Sequence, residues 1–333
     1  MIITQTPFRL SFFGGGTDYK PFFDEYGGSV LSTTIDKYCY VVLRRVPPFF
    51  DFHSQIRYSK METVRKTEDI EHPLVRNCML FTDTHNLGVT YDTDLPARSG
   101  LGSSSSFAVG LLQGIYALNG KHAGKEKLAK DAIYVERELC NESGGWQDQI
   151  AAAYGGLNRI DFNSDGFEVQ PVIVSKKTKL NLQESLLFFF TGLPRYSSNI
   201  AASQMDTIKD KIRELIEMKH LVDEAEKILI SGSDLNEFGK LLDYTWNLKR
   251  GLTANISTDY IDNIYAKAKK AGALGGKLIG AGGSGFMVFY AEPDKHHSIK
   301  HALGELLYVP IAFENNGSKI IHYTPEEITC EEN

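Results

Sequence analysis

Pro96-Ala97-Arg98-Ser99-Gly100-Leu101-Gly102-Ser103-Ser104-Ser105-Ser106 is the most informative stretch of this 333-residue chain. Its serines lead into Phe107, Leu111, Leu112, Ile115 and Leu118, whose spacing predicts a helix from Ser103 that stops at Asn119-Gly120. Glycines ahead of a helix let backbone amides approach a ligand with no Cβ in the way. The helix N-terminus adds unpaired N–H groups and the positive end of the dipole. Serine hydroxyls can bond phosphate oxygens, or one can ligate Mg²⁺. A flexible Gly/Ser loop with a capping serine fits the same residues equally well. The chain contains no Walker A lysine pattern, which disfavours a P-loop NTPase.

Around this stretch the chain is ordinary for a globular protein, with 42% hydrophobic and 23% charged residues, so it can bury a sizeable core. A net charge of −6 gives no support to a nucleic-acid or anionic-membrane partner, which would need a basic excess. It leaves room for an anionic small substrate in a locally basic pocket. Cys39, Cys78, Cys140 and Cys330 show neither zinc-ligand nor redox spacing, and no basic start precedes an apolar run. Both observations point to a cytoplasmic protein; a monomer or homodimer is the expectation for its assembly, which neither observation decides.

Alternating segments predict strands at 2–4, 8–13, 28–34 and 38–45, with residues 51–73 unassigned. After the first helix, further helices are expected at about 125–140 and 146–153, then strands near 167–174 and 186–191. Helical regions follow at about 199–230, 234–249 and 259–271. A strand–turn–strand at 277–290, a helix at 296–307 and a final strand complete the pattern. Two domains result, residues 1–165 and 166–333.

Gly280, Gly282 and Gly285 fit the G-x-G-x-x-G dinucleotide fingerprint, which requires a helix directly after it. Here Phe286-Met287-Val288-Phe289-Tyr290 follows, a strand. A glycine hairpin turn is the better reading.

Two carboxylates stand out. With a helical advance of about 100° per residue and Leu128 at zero, Ala132 falls at about 40°, Glu136 at about 80° and Leu139 at about 20°. Glu136 therefore lies within the apolar arc, whereas Glu138, at about 280°, faces outward. An inward carboxylate needs a partner, either a structural cation or Mg²⁺. Asp148, in Gly144-Gly145-Trp146-Gln147-Asp148-Gln149, reads by itself as a helix-start aspartate.

Three segments together resemble the GHMP kinases, the galactokinase–homoserine kinase–mevalonate kinase–phosphomevalonate kinase superfamily. Pro7-Phe8-Arg9-Leu10-Ser11-Phe12-Phe13-Gly14-Gly15-Gly16-Thr17-Asp18-Tyr19 is similar to its first motif, Pro96–Ser106 to its second, and Lys277-Leu278-Ile279-Gly280-Ala281-Gly282-Gly283-Ser284-Gly285 to its third. They stand in the family's order across almost the whole chain. The resemblance implies an α+β fold in two parts: an N-terminal domain like the second domain of ribosomal protein S5 and a ferredoxin-like C-terminal domain. It also implies ATP as co-substrate, Mg²⁺, and a role for each matching residue. Gly100, Leu101, Gly102, Ser103, Ser104, Ser105 and Ser106 would hold phosphates. Asp148 would act as the catalytic base beside Arg9, whose positive charge keeps it ionised. Glu136 and Ser104 would hold the metal, with Ser103 the next choice of hydroxyl. Asp18 would bind sugar hydroxyls, with Gly15, Gly16, Thr17, Gly282 and Gly283 around the substrate.

The first motif departs from galactokinase, where an acidic–histidine pair follows the first glycine; here Gly15-Gly16 stands in its place. The triple glycine and the flank Tyr26–Tyr38 look like the branch that phosphorylates the anomeric hydroxyl of D-glycero-D-manno-heptose 7-phosphate, a step toward nucleotide-activated heptose, with L-fucose kinases and other sugar 1-kinases as the alternative. A phosphorylated substrate demands a cation at its far end, and Arg195 and Lys37 are the candidates. Two other classes compete: a decarboxylase, as the superfamily includes, and a non-catalytic sugar and ATP sensor.

Overall fold

A computed structural model of the chain describes residues 1–97, 99–192, 205, 207–232, 234–253, 256–280 and 282–325. The first sheet is built from β1 (Ile2–Phe13), β2 (Gly28–Arg45), β3 (Ser54–Arg57), β4 (Met61–Val64), β5 (Leu87–Thr93), β6 (Asn158–Asn163) and β7 (Gly166–Pro171). The second holds β8 (Leu186–Gly192), β9 (Gly275–Leu278), β10 (Gly285–Tyr290) and β11 (Leu307–Tyr308). Two late strands, β12 (Phe313–Glu314) and β13 (Lys319–Tyr323), return to the first sheet on β2 and β1. The fold is α+β with two sheets, as expected.

The helices are α1 (Lys20–Tyr26), α2 (Pro73–Phe81), α3 (Ser103–Leu118), α4 (Lys125–Tyr134), α5 (Gln147–Tyr154), α6 (Lys176–Glu184), α7 (Ile212–Ser231), α8 (Asn236–Arg250), α9 (Asp259–Lys270) and α10 (His296–Ala302). Among the described residues, no helix is long and apolar enough to cross a membrane. Cys39, Cys78 and Cys140 are free thiols.

Strand β1 runs unbroken where two strands were expected. Pro7 is accommodated because the β1–β2 register shifts between Pro7 and Phe8, and a bulge tolerates a residue that cannot donate to the ladder. The unassigned residues after 51 form the β3–β4 hairpin, and β3 lies parallel to β5. Strand β6 and helix α6 escaped the periodicity reading, and the helix expected over 296–307 ends at Ala302. The helical expectation before Ile208 falls largely outside the described residues.

The second sheet is buried on both faces, which explains its unbroken apolar sequence. Phe188, Phe286, Val288 and Tyr290 point into the core shared with the first sheet. Their neighbours Leu187, Phe189, Met287 and Phe289 point into a second core with Trp246 and Ile264. Phe188 and Phe286 stack with ring centroids 4.5 Å apart. This alternation with period two fastens the two sheets together and leaves a polar pocket between them.

Candidate active site

Glycine shapes the meeting of the second and third motifs. Gly100 and Gly102 precede α3 with φ of +82° and +75°, a region L side chains rarely adopt. The hairpin turn between β9 and β10 packs directly on this loop. A Cβ on Gly100 would lie 2.3 Å from the Ile279 carbonyl oxygen, and one on Gly280 would lie 2.5 Å from the Gly100 Cα. A strand follows the turn, as the hairpin reading expects. Helix α3 begins with no side-chain cap and buries Ser103, Ser105 and Ser106, while Ser104 is exposed.

Beneath the loop, Arg9 of β1 grips Asp148 in the first turn of α5. Its Nε donates to Oδ1 at 2.7 Å and its Nη2 to Oδ2 at 3.1 Å, while Nη1 donates to the Gly100 carbonyl at 2.6 Å. The fork geometry fixes the carboxylate's plane as well as its charge. A Cβ on Gly102 would come within 3.2 Å of Asp148 Oδ2, so the glycine loop before α3 and the carboxylate are direct neighbours. Arg9 is buried, and the Asp148 side chain keeps 24% of its surface exposed toward the pocket.

Asp18 stands on the other side. It accepts from the Gly16 amide at 2.9 Å and the Gln147 amide at 3.3 Å. Burial pushes its carboxyl above the usual carboxylate range, with Asp148 adding to the rise and those amides opposing it. Gly145 is required here, since a Cβ would sit 1.8 Å from Asp18 Oδ2. Thr17 is wholly buried: its hydroxyl lies 2.8 Å from both the Gly14 and Ser29 carbonyls, pinning the glycine turn to β2.

Glu136 sits in a π-helical turn (Val135–Leu139) that continues α4. It is fully buried, in agreement with the helical arc. Its Oε2 accepts from Ser105 Oγ at 2.7 Å and Gln149 Nε2 at 2.5 Å, so its serine partner is Ser105 and not Ser104. The other oxygen, Oε1, is buried with no hydrogen-bond partner among the described residues. Leu139, expected inward, is 38% exposed, because the wider π turn rotates the residues after Glu136 off the α-helical arc.

One pocket gathers Arg9, Asp148, Asp18, Gly15 and Gly16, together with Arg137, Lys249 and Lys277, which the motifs had not assigned. Lys249 had a sequence signal: it continues the buried face of α8 after Phe238, Leu242 and Trp246. Lys277 opens the third motif. Arg137 had none. Gly282 and Gly283 pack on Ile256 rather than lining this pocket. Lys37 is not among the lining residues either; its ammonium pairs with Asp36 at 2.9 Å, and Asp36 also accepts from the Ala312 amide at 2.8 Å. Arg195 lies outside the described residues.

Comparison with known proteins places the chain among phosphotransferases. The GHMP kinases N terminal domain matches residues 71–156, and the GHMP kinases C terminal domain matches residues 221–309. The chain is 30% identical to a D-glycero-alpha-D-manno-heptose 7-phosphate kinase of Campylobacter jejuni, over 91% of this chain and 93% of that one. It is 25% identical to a bifunctional fucokinase/GDP-fucose pyrophosphorylase of Arabidopsis thaliana, over 90% of this chain and 31% of that one. Its fold superposes on the crystal structure of a D-glycero-D-manno-heptose 1-phosphate kinase from Bacteroides thetaiotaomicron with a TM-score of 0.80 and 25% identity, covering 97% of this chain and all of that one.

Proposed function

The chain belongs to the GHMP kinase family and is a sugar kinase; from that premise we propose that it phosphorylates the anomeric hydroxyl of D-glycero-D-manno-heptose 7-phosphate to give the 1,7-bisphosphate. One observation carries the choice of a phosphorylated acceptor. In a protein of net charge −6 the pocket inverts the sign, lining itself with Arg9, Arg137, Lys249 and Lys277 against only Asp18 and Asp148. With a neutral sugar such as L-fucose only the transferring phosphate meets that excess, whereas a phosphorylated acceptor brings a second anion to it. The heptose 7-phosphate kinase among the relatives supports the same choice.

In this reading the acceptor's anomeric O–H donates to Asp148 while Asp18 accepts from other sugar hydroxyls. The anomeric oxygen forms a bond to the terminal phosphorus of ATP, the bond from that phosphorus to the bridging oxygen breaks, and ADP leaves. The anomeric proton passes to Asp148, whose orientation Arg9 holds. Gly100–Ser106 and the start of α3 offer amides and hydroxyls to the nucleotide phosphates.

Glu136 Oε1 fits a divalent cation: it is a buried carboxylate oxygen with no partner among the described residues, next to the α3 N-terminus. Among those residues no three His, Cys, Asp or Glu groups gather at one point. This composition suits Mg²⁺ taken up through one carboxylate, nucleotide phosphates and water. Glu136 would hold the ion with a serine hydroxyl of α3, either Ser104 or, by its bond to Glu136, Ser105. When bound, Mg²⁺ neutralises charge on the phosphate oxygens.

The test is an acceptor panel of heptose 7-phosphate, the unphosphorylated heptose, L-fucose and galactose, read by ADP release and by the position of the new phosphate. Highest kcat/KM with the 7-phosphate and a new phosphate on C1 is expected. Preference for an unphosphorylated sugar would sink the proposal.

A further inference from the structure

Lys249 and Lys277 enter the pocket from the second half of the chain; they count toward its positive charge, but no step of the transfer above assigns either a contact. Lys249 lies in the last turn of α8 and Lys277 in β9; they are 6% and 2% exposed. Each ammonium carries three donors. Lys249 gives one to the Gly280 carbonyl at 2.5 Å, and Lys277 gives one to the Phe12 carbonyl at 2.8 Å. Among the described residues neither forms an ion pair with a carboxylate.

A buried ammonium without a counter-charge is costly, and two facing one cavity beside Arg9 are more so. Burial and then Arg9 pull Lys249 down to about 8. Burial pulls Lys277 well below its ordinary value, and Lys249 and Arg9 add to the effect. Hydrophobic side chains of similar length would fill both positions at less cost to the fold. What the arrangement provides is a set of spare donors and uncompensated positive charge aimed at a cavity, which an entering anion would satisfy.

We infer that Lys249 and Lys277 form a phosphate-binding subsite of the pocket, an assignment that rests on the kinase reading above. The ligand chemistry is a phosphate dianion. It has two sources here, the phosphate already on the acceptor and the terminal phosphate of the nucleotide. The Lys249–Gly280 bond ties the subsite to the turn that packs on Gly100, and Asp18 is close enough to bear on both lysines. The subsite therefore lies between the sugar-facing carboxylate and the nucleotide-facing loop.

The experiment compares the wild type with Lys249→Met and Lys277→Met, using the heptose with and without its 7-phosphate and varying ATP separately. Losing a charge-assisted phosphate contact is expected to cost about tenfold to a hundredfold. If the subsite takes the acceptor's phosphate, that factor appears in KM for the phosphorylated sugar alone. If it takes the transferring phosphate, the factor appears in kcat with both sugars. Lys249→Arg should recover most of the loss, which a purely structural role would not predict. Because Lys277→Met touches a fully buried position, Lys249→Met is also titrated with inorganic phosphate by calorimetry, where about tenfold weaker binding is expected. Unchanged phosphate affinity, with kinetic constants within about twofold of wild type, would overturn the subsite. A wild type that binds inorganic phosphate through Lys249 yet ignores the heptose phosphate would instead sink the substrate assignment and leave the subsite standing.

Discussion

The pocket's two walls carry their charges in opposite ways. On the wall made by residues before 160, Arg9 clasps Asp148 through two hydrogen bonds and two amides hold Asp18, while Arg137 donates to the Glu142 carbonyl at 3.1 Å. On the wall made by residues after 240, Lys249 and Lys277 rest, among the described residues, on carbonyl oxygens alone. A clasped pair is complete without ligand, so it can fix the orientation of a reacting group before substrate arrives. An uncompensated pair is incomplete until an anion enters, so it favours binding. The first wall is suited to chemistry and the second to capture.

The largest expected effect breaks the first wall. Asp148→Asn should lower kcat by about 10²–10⁴-fold, the usual span of a general base, with KM for the acceptor changed far less. Single-turnover kinetics measure this, and a loss under tenfold would remove Asp148 from that role. Next, Ser105→Ala should raise the Mg²⁺ concentration for half-maximal rate by about 10–100-fold, as loss of a group orienting a metal ligand does. Ser104→Ala in parallel decides between the two serines: a larger shift there would make Ser104 the hydroxyl that meets the ion. Gly145→Ala, whose Cβ would strike Asp18 Oδ2 at 1.8 Å, should raise acceptor KM about tenfold and leave ATP KM alone.

The smallest effect separates the walls by pH. Lys249 has a folded value of about 8, below its ordinary 10.5, so it is charged in the pocket only below about 8. The free enzyme's kcat/KM should therefore fall as pH rises past 8, and Lys249→Met should lack that limb. Ligand-free stability should move the other way. Between 8 and 10.5 the unfolded chain binds more protons at this lysine, so melting temperature gains a contribution that rises with pH, absent in the Met variant. Arg9, Asp18, Asp148 and Lys277 set the local field in both measurements.

Several site features were legible because they are local. The helix at Ser103–Leu118 followed from apolar spacing and a serine-rich start, and the burial of Glu136 followed from its angle relative to Leu128 and Ala132. Lys249 lay on the apolar stripe of α8 by the same arithmetic and could have been found, whereas Arg137 had no periodic signal. Leu139 was misplaced because a π turn changes the advance per residue, and nothing in Val135–Leu139 announces it. The β1 and β2 strands were broken too early because register shifts absorb Pro7 and the turn near Asp36, and a bulge depends on the partner strand.

The sequence by itself determined the glycine loops and, through three ordered motifs, the family, because these depend on residue type and backbone freedom at successive positions; Arg9 and Asp148 were paired through that resemblance, since Asp148 by itself reads as a helix start. Only the tertiary structure decided that the third-motif turn seats on Gly100, that Ser105 is the serine on Glu136, and that two lysines 28 positions apart, 249 and 277, face one cavity. Those facts depend on how two sheets stack across a shared core. Charge placed by such packing leaves no pattern along the chain.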